Sequence, residues 1–99
     1  MTVEVPEVEE VRKLLEELDE KALLARLDSF VTLNDGLETK RGEDYIKLSI
    51  LSFLEGLLTS LRMKYPKKEE RVGKLYEEIK AKRMELDELF RKPAMQNLK

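Results

Sequence analysis

The sequence predicts an all-α protein, an up-and-down bundle of three or four helices with one apolar central helix, on three observations. Between Tyr45 and Tyr65 the residues Ile46, Leu48, Ile50, Leu51, Phe53, Leu54, Leu57, Leu58 and Leu61 cover most of a helix's circumference. A helix that is apolar nearly all round has to be enclosed by others. Elsewhere apolar residues recur three and four positions apart, and no segment alternates with period two. The connections are short, which makes neighbouring helices antiparallel.

The first helix is expected to begin near Val5. Pro6 suits a first helical position, and Glu7, Glu9 and Glu10 complement the positive end of the dipole. Val8, Val11, Leu15 and Leu18 form its stripe, whose phase slips before Leu23, Leu24, Leu27, Phe30 and Val31. The slip predicts a break, with Asp19 capping a second helix over 20–33 and Leu18 and Leu23 as a hydrophobic staple; one long bent helix is the rival reading. Asn34, Asp35 and Gly36 end that helix, because Asn and Gly tolerate the left-handed conformation of a helix stop. After a polar connection, the central helix runs from about Glu43 to Lys64. Tyr65 precedes Pro66 and is pushed towards extended geometry. Pro66 opens the last helix, with a stripe of Val72, Leu75, Tyr76, Ile79, Leu86, Leu89 and Phe90, ending before Pro93. Residues 1–93 thus read as one helical domain and 94–99 as a disordered tail with too little apolar surface to order itself.

Composition excludes several chemistries. The 99 residues contain no cysteine and no histidine, which removes disulfides, thiolate metal sites and the commonest general base and transition-metal ligand. No cofactor is expected. Charged residues are 40% of the chain and the only amides are Asn34, Gln96 and Asn97, the abundance of ions and poverty of thermolabile side chains seen in hyperthermophiles. The expected source is a heat-loving archaeon or bacterium. Met1 is followed by acids instead of the basic and apolar regions of a signal peptide, and the run around Glu55 is too short and interrupted to span a bilayer, so a cytoplasmic protein with no membrane contact is expected.

Charge is unevenly placed. Residues 1–20 carry a net charge of −6, residues 21–60 of −1 and residues 61–99 of +5. Arg62, Lys64, Lys67, Lys68, Arg71 and Lys74 therefore form a candidate basic patch for nucleic acid around the turn between the last two helices. Packing an acidic first helix antiparallel against a basic last one accounts for the same asymmetry, and Glu69, Glu70 and Glu78 interrupt the run. Nucleic acid is the weaker reading. Lys40 and Arg41, ahead of the central helix, form a candidate anion loop, which Glu43 and Asp44 already oppose.

The central helix carries a row of small residues, Ser52, Gly56 and Ser60, with Ser49 and Thr59 beside it. Glycine inside a helix costs about 1 kcal/mol and needs a reason, which close packing within the chain or across a two-fold axis would supply. Ser49, Ser52, Gly56 and Ser60 are the candidate interface. Glu55, on the edge of that row, is a candidate functional acid, or an acid reaching water or an arginine such as Arg62. Carboxylates one turn apart (Glu16 with Glu20, Glu85 with Glu88) and Glu38 near Glu43 leave open a magnesium-dependent nucleotide-processing enzyme, since magnesium needs only oxygen ligands. Arg12, Glu16 and Asp19, followed by Leu23 and Arg26, look like the opening of the all-helical chorismate mutases. That likeness covers only the start of the chain, lacks a later Arg-Glu pair, and assigns no family. The reading favoured by the sequence is a non-catalytic helical interaction protein that self-associates as a homodimer.

Overall fold

The computed structural model describes residues 5–35 and 42–97, with side chains for 5–34 and 42–89. Among these residues four α-helices follow one another, α1 Glu7–Glu17, α2 Lys21–Asp35, α3 Glu43–Lys64 and α4 Glu69–Asn97, the last entered through a 3-10 turn at Pro66–Lys68. The all-α bundle expected from the sequence is what forms. Its 29-residue α4, about 44 Å long at 1.5 Å per residue, runs nearly the full 49 Å length of the molecule. No helix among the described residues is long and apolar enough to cross a membrane.

The break after Leu18 separates α1 from α2, but its chemistry differs from the expected cap. Asp19 has φ +57°, in the left-handed region. Its N–H donates to the Glu16 carbonyl at 3.1 Å, and the Glu20 N–H donates to the Leu15 carbonyl at 2.9 Å. This pair of bonds closes α1 as a Schellman motif. Asp19 therefore ends the first helix instead of capping the second, and the Glu20 carbonyl takes the first bond of α2, from Leu24 N–H at 2.9 Å. Asp is one of the few residues other than glycine that tolerates this conformation, at some cost. Asp19→Gly is expected to stabilise the fold by about 0.5–1 kcal/mol and raise Tm by a few degrees. A fall in Tm would mean that the carboxylate is needed as a cap after all.

The packing centres on α3. Ile46, Ile50, Leu51, Leu54, Leu57, Leu58 and Leu61 are buried along it, against Val11, Leu14 and Leu15 of α1, Leu27 of α2 and Val72 and Ile79 of α4. Gly42, with φ +88°, turns the chain into α3 where a Cβ would be strained. At the other end Tyr65, φ −125° and ψ +69°, leaves the helical region that the following proline disfavours. α4 does not stop before Pro93. It continues through Pro93 to Asn97, although the proline has no N–H to give to the Leu89 carbonyl. The backbone of the expected tail is thus helical as far as Asn97, and 98–99 lie outside the described residues. Leu89, expected on the buried stripe, is 56% exposed.

Ion pairs account for only part of the charge asymmetry. Lys82 pairs with Glu7 and Arg71 with Glu17, so the acidic α1 lies antiparallel to α4, whose seven bases and seven acids cancel. The positive excess of residues 61–99 comes from Arg62, Lys64, Lys67, Lys68 and Lys99. Arg83 with Glu55 and Arg62 with Glu69 order α3 and α4 antiparallel in the same way. Arg12 with Asp28 closes the α1–α2 hairpin. At the end formed by the two tight turns, the buried Glu20 carboxylate accepts bonds from the Tyr65 hydroxyl and from Lys64 Nζ at 2.6 Å. One carboxylate thereby ties the α1–α2 turn to the α3–α4 turn.

Candidate functional site

With 100° per residue, Tyr45, Ser49, Ser52, Phe53, Gly56, Thr59, Ser60 and Met63 fall within about 60° of Gly56 on the surface of α3. All eight are exposed or half-exposed and none is charged. Phe53 and Ser49 are half-buried, while Ser52, Gly56, Thr59 and Ser60 are exposed. In a chain with 40% charged residues this is a marked depletion, of the kind that distinguishes the centre of an interface. A Cβ on Gly56 would meet nothing within 4 Å among the described residues, so no described helix makes use of the missing side chain. The close packing within the chain that the small row suggested is not made by any of the described residues. Thr59 turns its hydroxyl back to the Glu55 carbonyl at 2.9 Å.

The face extends onto α2, where Ala22, Ala25, Ser29, Thr32 and Leu33 are exposed. Between the helices Phe30 and Phe53 stack with centroids 4.2 Å apart and planes 5° from parallel. They floor an open groove of about 390 Å³ lined also by Ala25, Arg26, Ser29 and Leu33. Arg26 is the one charge in that lining. Sequence reasoning missed this groove. Leu33 lies off the buried stripe of α2 and Met63 off that of α3, and those two misplaced apolar residues were the available signal.

Glu55 marks the opposite edge of the face. Its carboxylate is held by Arg83 of α4, which also donates to Asp87 Oδ2 at 2.7 Å, so the arginine expected at Arg62 is Arg83 instead. The guanidinium's pKa is raised, chiefly by its bond to Glu55. This geometry gives the candidate functional acid a partner in α4 and thus a structural task. Arg62 binds Glu69, at 2.9 Å from its Nε, and lies over the Tyr76 ring.

The six residues of the candidate basic patch are divided. Arg62, Lys64 and Arg71 are engaged with Glu69, Glu20 and Glu17, whereas Lys67, Lys68 and Lys74 make no ion pair among the described residues. The bond from Arg71 lowers the Glu17 pKa, and the bonds from Lys64 and Tyr65 lower that of Glu20. Lys40 and Arg41, the candidate anion loop, lie outside the described residues. The carboxylates considered for magnesium are dispersed: Glu16, Glu85 and Glu88 face solvent, Glu20 is engaged as above, Glu43 pairs with Lys47 at 3.1 Å, and Glu38 lies outside the described residues. Among the described residues no three acids come together as a metal-holding group. Arg12 and Asp19 are likewise committed to the α1–α2 hairpin.

A family model described as "Protein of unknown function (DUF3216)" matches residues 8–99. The chain is similar to a solved structure, that of a singleton protein from P. furiosus, at 42% identity and a TM-score of 0.77, over 84% of this chain and 89% of that one. That organism is a hyperthermophilic archaeon. No curated protein matches.

Proposed function

The chain belongs to the DUF3216 family of proteins of unknown function, and we propose that it is a non-catalytic assembly module that self-associates through the exposed face of α3. The observation that carries this reading is the charge-free arc centred on Gly56, open on the surface of a chain otherwise dense in ions. Fully desolvating such a face strands no charge, and its small residues let two backbones approach closely. A heat-loving archaeal source agrees with the composition and with the organism of the structural relative, and the setting we propose is the cytoplasm. A magnesium-dependent enzyme has less support because its acids are scattered, and a nucleic-acid binder has less because half of its cations already serve carboxylates.

Gly56→Leu separates the two roles that a surface glycine can have. Leucine improves helix propensity at an open position, so the isolated subunit should gain about 0.5–1 kcal/mol of stability. Its bulk on the approach path should at the same time weaken self-association at least tenfold, read by light scattering over a concentration series. A variant that is stabilised and associates as well as the parent would mean that the face is only surface.

A further inference from the structure

The face carries a knob and a groove that match. Met63, 81% exposed, stands at one end of the row. The groove floored by Phe30 and Phe53 and walled by Leu33 stands beside the other half. We infer that α3 crosses a second copy of itself antiparallel at Gly56, each Met63 filling the Phe30–Phe53 groove of its partner; this rests on the self-association proposed above.

The register follows from helix geometry. Met63 and Ser49 lie seven residues either side of Gly56, about 10.5 Å along the axis. A two-fold axis perpendicular to α3 at Gly56 sets Met63 opposite the second copy's Ser49, one turn from Phe53 and level with the groove. Ser52 then opposes Ser60. A two-fold axis parallel to α3 would set Met63 against Met63 and leave both grooves empty. Met63 lies about 20° from Gly56 on the side away from Phe53. A crossing that leans towards α2 by roughly 20°, which moves a residue at that distance about 4 Å sideways, and the reach of the methionine side chain are both needed to bring it to the groove. The flexible, polarizable thioether suits an aromatic floor. Arg26 sits on the groove wall, where its aliphatic stem can cover the methionine while its charge stays in water.

The area is adequate. Tyr45 to Met63 spans about 27 Å, and two packed helices are about 20 Å wide, giving roughly 540 Å² of flat face per copy or roughly 1,100 Å² in total. Side-chain relief adds to this, bringing it to the lower range of stable interfaces, about 1,200 Å².

The chain has no cysteine, so engineered thiols report the register cleanly. Ser52→Cys and Ser60→Cys variants of the full chain, mixed and oxidised, should form a covalent dimer. Either variant alone should not, because like positions would lie about 12 Å apart along the axis, beyond the roughly 7 Å limit between the Cα atoms of a disulfide. Met63→Lys should lower association at least tenfold, by sedimentation equilibrium, with the Tm of the subunit unchanged. A dimer in which Ser52→Cys cross-links to itself, or in which Met63→Lys associates normally, overturns this register and leaves self-association standing. A wild-type monomer without cross-links overturns both and leaves the groove to a different protein.

Discussion

Replacing Leu54 with alanine is expected to destabilise the protein by about 2–5 kcal/mol, the usual cost of a large-to-small change where the surroundings cannot collapse. Leu54 is fully buried near the middle of α3, the helix on which every other helix packs. Leu57→Ala should behave similarly, its side chain being only 5% exposed. Denaturant titration should show a lower midpoint at an unchanged slope, since the loss is in the native packing. Native-state exchange should place the slowest amides in α3. A loss below about 1 kcal/mol, or α3 amides exchanging as fast as those at the end of α4, would remove α3 from the centre of the fold.

Glu20→Gln is expected to have the largest effect among polar substitutions, because one carboxylate joins the two turns at one end of the bundle. Its pKa is lowered from the ordinary 4.5, first by the bond from Lys64 and then by that from Tyr65. A carboxylate with a depressed folded pKa contributes stability that is present above its unfolded value and is lost as the pH falls through its folded value. The partners act at the other extreme. Lys64 is raised above 10.5 and Tyr65 above 10.0, both chiefly by Glu20, so their contribution is present below those values and lost as the pH rises through the higher folded ones. Glu20→Gln should lower Tm at pH 7 and flatten the Tm profile on both the acid and the alkaline limb. Glu17 shifts in the same direction through Arg71, but that pair is about half exposed and solvent screens it, so Glu17→Gln should matter less. Parallel acid limbs for wild type and Glu20→Gln would show that the tie carries no stability.

The elements were legible because each has a local signal. The limits of α3 follow from Gly42 and from Tyr65 before Pro66, and the α1–α2 break follows from the slip in stripe phase after Leu18. Asp19 was misread because an Asp between two helices suits both an N-cap and a left-handed stop, and only the backbone bonds of Glu16 and Leu15 decide between them. The partner of Glu55 was not legible, since Arg83 lies 28 residues away and reaches it only once α4 has folded back. The two-sidedness of α3 was legible: its leucines and isoleucines face three other helices, while the serines and Gly56 between them mark a side that no described helix covers.

In the assembly we propose, a second copy sits on the side of α3 that no described helix covers. Sedimentation equilibrium of the wild-type chain over a hundredfold range of concentration tests it most directly. A mass rising from one chain to two and levelling there, with the transition displaced to higher concentration by Gly56→Leu, is the predicted result. A mass of one chain at every concentration would contradict it.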